Sequence, residues 1–336
     1  MRLLNQRPLK LKMLGRSELV QMALKLKAEN RQLKTIQKAV IPIAGYGTRL
    51  FPATKAVPKA LFPIIAQDGF AKPIIQLIIE EALTAGVEEV CLVAQPQQVE
   101  PIADYFSGNV AAAIREKVEL AGQADRLKEI GERLHFAIQA EPEGFGHAIY
   151  CARDFAAGEP VIVLLGDHLY ISESGDSCTR QLADVYVKVG RSVTSLDLCH
   201  ENELSLNGVV HGNPSVESPR LYTLIQISEK PAVEYAQKHL RVEGIPERQY
   251  LCNFGIDLLS PLLFDILDYN YKHQVLTHGE IQLRDAMTEM IKQEGMYGYQ
   301  VAGSRYDTGN PQELLKTVNA FGLEGPYRKV LEKSTL

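Results

Sequence analysis

Several features that mark whole classes of protein are missing from this sequence. No apolar run approaches the roughly 20 residues that a transmembrane helix needs. The N-terminal residues lack the apolar stretch and small-residue cleavage site of a secretory signal, so the cytoplasm is the expected location. Cysteine is scarce. Cys91, Cys151, Cys178, Cys199 and Cys252 are scattered, odd in number and never spaced Cys-x-x-Cys. That argues against a structural zinc site or a disulfide framework and fits a reducing compartment. Cys91, Cys199 and Cys252 lie in apolar runs and read as small buried hydrophobes rather than nucleophiles. Charge of one sign is not in large excess: the formal net charge is −5, which gives no whole-chain signal for nucleic acid. Neither an internal repeat nor a low-complexity tract is found.

What is present suits a globular enzyme. Of 336 residues, 46% are hydrophobic, enough for a sizeable core in one large domain or two small ones at about 100–200 residues per domain. Residues 1–36 stand apart as a basic stretch in which Glu18 and Glu29 are the only acids. Ser17 can cap a helix there, with Leu19, Met22, Ala23 and Leu26 as its apolar positions. The segment reads first as a helical extension packed on the body or on a second copy of the chain. A nucleic-acid or membrane-surface arm and a transit peptide share the same composition.

From Lys38 onward, short apolar runs alternate with helical patterns. Ala39–Ile43, Glu89–Ala94, Leu134–Gln139 and Pro160–Leu165 read as buried strands, separated by helices near Pro73–Ala85, Gln97–Phe106, Val110–Ile130 and Gly146–Asp154. This alternation argues for a mostly parallel sheet with helices on both faces. A helix near Thr179–Val189 and a strand at Ser192–Cys199 follow. Later, Val209–His211, Tyr222–Ser228 and Gln249–Leu259 look like strands with little helix between them, which suggests a small antiparallel extension. Helices are expected near Ser260–Leu267 and Glu280–Glu294.

The most informative segment follows the first strand: Ala44-Gly45-Tyr46-Gly47-Thr48-Arg49-Leu50-Phe51-Pro52-Ala53-Thr54-Lys55-Ala56-Val57-Pro58-Lys59. Two glycines one residue apart let the backbone turn tightly and approach a ligand, and their amides can cradle phosphate oxygens. Ligands of open α/β sheets bind beyond the carboxyl ends of strands, where this loop lies. It is not a Walker loop, because no Gly-Lys-Ser/Thr closes it, and Pro52 and Pro58 disfavour a dinucleotide fingerprint. Arg49, Lys55 and Lys59 suit a triphosphate, although each alone reads equally as a solvated charge.

Two further segments complete the pattern. Gln139-Ala140-Glu141-Pro142-Glu143-Gly144-Phe145-Gly146 ends a strand and opens a helix, and Gln139 offers both a donor and an acceptor for the edge of a pyrimidine base. Gly166-Asp167-His168 follows a buried strand, so the Asp167 carboxylate is placed to hold a divalent ion beside a triphosphate; the plainer alternative is a turn or helix cap.

Gly45-Tyr46-Gly47-Thr48-Arg49, then Pro52-Ala53-Thr54-Lys55 and Pro58-Lys59, resembles the signature of the sugar-nucleotide pyrophosphorylases, most closely the bacterial UTP–glucose-1-phosphate uridylyltransferases. The resemblance runs from about Lys38 to Phe321. It implies a Rossmann-like nucleotidyltransferase domain over residues 37–322, followed by a tail at 323–336. It also implies a reaction in which a nucleoside triphosphate, expected to be UTP, and a sugar 1-phosphate, expected to be glucose 1-phosphate, give a nucleotide sugar and pyrophosphate. By the same resemblance Ala44, Gly45, Gly47, Thr48, Gln139, Gly144 and Gly146 hold the nucleotide. Arg49 steadies the departing pyrophosphate and Lys59 stabilises charge at the α-phosphate. Asp167 and Asp307, the latter in Asp307-Thr308-Gly309, hold Mg²⁺. Gly208, Glu229 and Lys230 bind the sugar phosphate, and a homo-oligomer is implied. One departure is Ala60, where the family carries Glu or Gln near the nucleotide. It leaves open another base or sugar, or a non-catalytic regulatory homologue.

Overall fold

Short, mostly apolar runs form the parallel half of the central sheet; three are largely buried, and the fourth, Leu134–Ile138, is partly exposed. Period-2 alternation of side chains divides each such run between two cores. In the computed structural model, which describes residues 36–334, Ala39 and Ile41 face one core while Val40 faces the other. Leu92 and Val93, Ile162 and Val163, and Leu258 and Leu259 divide in the same way. Helices cover both faces. Ile74–Thr84 and Cys178–Val189 pack on the first, while Phe145–Cys151, Leu262–Lys272 and Leu283–Gln293 pack on the second. The basic arm expected over 1–36, with its Ser17 cap, lies outside the described residues except for Ile36, which is buried in the first core.

The strands in chain order are β1 (Lys38–Pro42), β2 (Pro63–Ile65), β3 (Ala71–Pro73), β4 (Glu89–Ala94), β5 (Leu134–Ile138), β6 (Val161–Leu164), β7 (His168–Ser172), β8 (Val193–His200), β9 (Gly208–Pro214), β10 (Leu221–Glu229), β11 (Gln249–Leu259), β12 (Tyr297–Gln300) and β13 (Gly303–Asp307). Nine form one mixed sheet in the order β5-β4-β1-β6-β11-β8-β12-β10-β9. β5, β4, β1 and β6 run parallel. β11 is antiparallel to β6 and β8, and β10 is antiparallel to β12 and β9. The antiparallel strands expected as an extension therefore continue the same sheet. The pairs β2–β3 and β7–β13 form separate two-stranded sheets.

Local chemistry sets the helix limits. Ser177 caps the Cys178–Val189 helix by accepting the Arg180 amide at 3.1 Å, and Gly190 ends it in the left-handed conformation. The single helix expected over Val110–Ile130 is instead two, Ala112–Arg115 and Val118–Gly131, because Lys117 is extended. The Gly146–Asp154 pattern likewise divides into Phe145–Cys151 and Arg153–Ala156. The tail past 322 holds the helix Arg328–Ser334. Among the described residues, no helix is long and apolar enough to cross a membrane.

The turn from β6 to β7 is pressed against the end of β1. A Cβ on Gly166 would lie 2.2 Å from the Pro42 carbonyl oxygen and 2.8 Å from Ile43 Cγ2. Pro42 ends β1 and Ile43 is packed in the first core, so neither yields easily and overpacking is the expected result. Gly166→Ala is expected to cost about 1–3 kcal/mol in equilibrium denaturation. Gly175→Ala, where an added Cβ meets nothing within 4 Å, should stay within about 0.5 kcal/mol of the parent. Equal stability of the two variants would contradict this packing.

Candidate active site

Three connections leave the carboxyl ends of parallel strands and meet at one edge of the sheet: the glycine loop after β1, Gln139–Gly144 after β5, and Gly166–Asp167 after β6. In the first, Gly47 has φ +62°, and a Cβ there would meet Thr54 Cγ2 at 2.8 Å, so conformation and crowding both require glycine. Gly45 is different. Nothing lies within 4 Å of where its side chain would be, and the backbone there is open. The loop closes through Leu50 N–H to the Gly47 carbonyl at 3.0 Å and Thr54 Oγ1 to the same oxygen at 3.2 Å. Ala44 is buried, whereas Thr48, Arg49 and Lys55 are exposed. Ala60, which the resemblance places near the nucleotide, is 4% exposed and belongs to the first core.

Asp167 is the centre of the charge arrangement. Lys59 Nζ lies 2.7 Å from its Oδ2, and His168 Nδ1 lies 2.8 Å from its Oδ1. Burial alone would raise the pKa of this carboxyl. The hydrogen bond and charge of His168, together with the Lys59 ammonium, outweigh burial and hold it well below the usual carboxylate range. The Asp167 side chain thus gathers cationic partners, and its main-chain carbonyl accepts the Thr308 amide and hydroxyl, each at 2.8 Å.

That link brings in a residue 140 positions away. β13 pairs antiparallel with β7 so that Asp307 stands opposite His168. Asp307 Oδ1 accepts the Gly309 amide at 2.5 Å, and Thr317 Oγ1 donates to the Asp307 carbonyl at 3.0 Å. The site converges on Gly309. From the point where its Cβ would sit, Arg49 Nη2 is 2.7 Å away, Asp307 Oδ1 is 2.8 Å and Asp167 Oδ2 is 3.2 Å. Asp167, His168 and Asp307 each place a ligand atom within 4.8 Å of the others. Two carboxylates offer hard oxygen ligands, which fit a hard divalent cation better than a soft one.

The base-side glycines have a packing role. A Cβ on Gly144 (φ +110°) would lie 2.6 Å from the Ile281 carbonyl oxygen, and one on Gly146 would lie 2.8 Å from the same atom. The segment is bonded there: Gly146 N–H donates to Ile281 O at 2.8 Å and Ile281 N–H to Glu143 O at 2.9 Å. Glycine at both positions therefore lets Glu280–Leu283 dock. Gln139 is buried, and its amide nitrogen donates to Gly144 O at 3.2 Å. His147 lies 3.3 Å from that nitrogen and stacks on Tyr271.

On the other side, Gly208 opens β9 opposite Glu229 of β10. Lys230 has φ +46°, donates its amide to Asn207 O at 3.1 Å, and holds its ammonium 3.7 Å from Glu229. Both side chains are exposed. Arg305, two residues before Asp307 and so on the same face of β13, donates to Asn253 O and Asn207 Oδ1, each at 2.8 Å. It joins the Gly208 turn to the strand that carries Asp307. Sequence reasoning assigned no role to His168, Arg305, Asn253 or Arg284. The available signals were a histidine directly after Asp167, and Asn253 as a polar residue inside the apolar β11 run.

A family model described as nucleotidyl transferase matches residues 38–322. The chain belongs to the nucleotidyl transferase family. This nucleotidyl transferase is 35% identical over 299 residues to a UTP–glucose-1-phosphate uridylyltransferase of Staphylococcus epidermidis, covering 88% of this chain and 95% of that protein. It is 33% identical over 297 residues to one of Bacillus subtilis strain 168, with coverages of 87% and 93%. Among solved structures, a UDP-glucose pyrophosphorylase complexed with UDP-glucose superposes with TM-score 0.68 at 29% identity, over 85% of this chain and 98% of that one. A UTP-bound enzyme from Acinetobacter baumannii gives 0.70 at 26% identity, over 89% and 98%.

Gly309→Ala adds one methyl at the meeting point of Arg49, Asp167 and Asp307 without removing any charged group. Arg49 can swing aside, so the variant is expected to unfold within about 0.5 kcal/mol of the parent. Its turnover in pyrophosphate release should fall by about a hundredfold, because misplacement on the ångström scale is enough to do so. Parent-like turnover would show that the three groups do not act around that point.

Proposed function

We propose that this nucleotidyl transferase joins UTP to glucose 1-phosphate, giving UDP-glucose and pyrophosphate. The observation that carries the reading is the convergence of Arg49, Asp167 and Asp307 on Gly309, with Lys59 on Asp167. Relatives named for this reaction at 33–35% identity support the choice of substrates.

The reaction forms a bond between a sugar-phosphate oxygen and the α-phosphorus of UTP while the bond from that phosphorus to the bridging oxygen of pyrophosphate breaks. Two polyanions must be brought into line, so alignment and charge neutralisation are the main tasks. The amides of the Gly45–Gly47 loop receive the triphosphate on the open backbone at Gly45, and Ala44 and Thr48 flank it. Arg49 steadies the departing pyrophosphate. Lys59 turns from Asp167 to the α-phosphate as charge builds there. Lys230 anchors the attacking phosphate, and Glu229 accepts sugar hydroxyls beside Gly208. A phosphate monoester is largely ionised near neutral pH, so no protein base is required. Gln139, whose amide nitrogen is engaged by Gly144 O, keeps its oxygen to accept from a pyrimidine N–H. Gly144 and Gly146 hold the strip beside which the base lies. Asp167 and Asp307 would hold Mg²⁺, which supplies charge neutralisation for the phosphates when bound.

A panel of nucleoside triphosphates with glucose 1-phosphate, read by pyrophosphate release, tests the reaction. UTP is expected to be used best, and another triphosphate used better would overturn the base assignment. Lys59→Ala should lower turnover by about 10²–10³ with a much smaller change in UTP binding. Asp167→Asn should lose activity and Mg²⁺ dependence while the fold persists; unchanged Mg²⁺ dependence would remove Asp167 as a ligand. Lys230→Ala should raise KM for glucose 1-phosphate by about 10–100-fold and leave KM for UTP nearly unchanged. Equal effects on both substrates would return Lys230 to ordinary surface chemistry.

A further inference from the structure

Behind Gly208 runs a buried polar chain that the reaction as described does not use. Arg284 Nη1 lies 3.2 Å from Asp257 Oδ2. Thr194 Oγ1 donates to the other oxygen of Asp257, and Asn253 Nδ2 donates to Thr194 Oγ1 at 2.9 Å. Thr194, Asn253 and Asp257 are each no more than 3% exposed. The chain ends at Asn253 Oδ1, a buried oxygen with no hydrogen-bond partner among the described residues.

The polarity of this chain fixes which end of the Asn253 amide faces forward. A carboxylate only accepts, so the Thr194 proton is committed to Asp257 and the Thr194 oxygen must accept. The amide group facing Thr194 is therefore the NH₂, and the group facing Gly208 is the carbonyl oxygen. That oxygen lies 2.7 Å from the point where a Cβ of Gly208 would sit, and Glu229 Oε2 lies 3.0 Å from the same point. Arg284 Nε lies 3.7 Å from that point. Two acceptors thus meet where glycine leaves room, and Asn253 Oδ1 has no hydrogen-bond partner among the described residues. A buried acceptor without a partner is costly and is uncommon in native structures unless a ligand uses it.

We propose that Asn253 is a specificity-determining residue for the sugar: its Oδ1 accepts a hydrogen bond from one hydroxyl of the sugar 1-phosphate while Glu229 accepts from the neighbouring hydroxyl. The ligand class is a sugar phosphate with a vicinal diol at this point. Two acceptors need two donors, and one hydroxyl supplies a single proton. The half-exposed Glu229 side chain turns with the incoming sugar and admits it to Oδ1. Arg284, Asp257 and Thr194 are positioning residues that hold the amide in the accepting orientation. This inference rests on the sugar 1-phosphate reading above.

The test crosses enzyme variants with a series of monodeoxy glucose 1-phosphates, each lacking one hydroxyl, and measures kcat/KM with saturating UTP. Asn253→Leu, nearly isosteric but without an acceptor, should lower kcat/KM for glucose 1-phosphate on the order of tenfold to a hundredfold. Against one deoxy analogue it should perform as the parent does, because the hydroxyl it would read is already gone. A parallel fall with every analogue makes Asn253 purely structural and overturns the proposal. Should Asn253→Leu fail to fold, Glu229→Gln, a change at an exposed residue, carries the test. Discrimination against one deoxy analogue must survive in it, since Asn253 is intact, and loss of discrimination at every position overturns the assignment. Parent protein inert toward every sugar 1-phosphate would overturn the underlying reading, an outcome distinct from either pattern.

Discussion

The Asp167 carboxylate, held ionised between Lys59 and His168, is the interaction on which the rest of the site depends. A half-buried negative charge needs partners, and it takes Lys59 from the glycine loop and His168 from the strand that follows Asp167, while the Asp167 main-chain carbonyl holds Thr308. The pairing of β7 with β13 makes that last contact a matter of strand register. Arg49 and Asp307 then arrive beside it without any long-range attraction of their own being required. The same strand carries Arg305, which fastens the Gly208 turn to the sheet.

Much of this was legible in the sequence. Short apolar runs gave the parallel strands, because a strand buried on both faces must be apolar throughout, and Ala39–Ile43 and Glu89–Ala94 fall on β1 and β4. The loop glycines and Asp167 were readable because strand ends in open sheets are where ligands bind. Residues whose value comes from pairing across the chain were not readable without the family resemblance. Asp307-Thr308-Gly309 is an ordinary turn until β13 lies against β7. Likewise, nothing local distinguishes Val110–Ile130 as two helices, since the apolar spacing persists through the extended Lys117. Nor was it legible that Ala60, read only as a departure from the family pattern, packs in the first core.

The glycines of the second segment correct a common assumption about such loops. Gly144 and Gly146 are easily taken as clearance for a flat base, yet their Cβ positions are filled by Ile281–Leu283. Clearance within the protein and clearance for a ligand leave the same mark on a sequence. Among the glycines of these two loops, Gly45 alone has open space beside it and no such internal explanation.

The docking of Glu280–Leu283 onto that strip has a bearing on how such enzymes diverge. The residue that follows, Arg284, pairs with Asp257 in the buried chain that leads to Asn253, and its Nε lies 3.7 Å from the Gly208 Cβ position. One short stretch of backbone therefore abuts the Gln139–Gly146 segment and carries a member of the buried polar network behind Gly208. Grafting the Gln139–Gly146 segment from a relative would disturb this seam unless residues 280–284 travelled with it. Under the proposed assignment of that segment to the base, a change of nucleotide preference would need two segments more than a hundred residues apart in the chain to change together, so that drift in one constrains drift in the other.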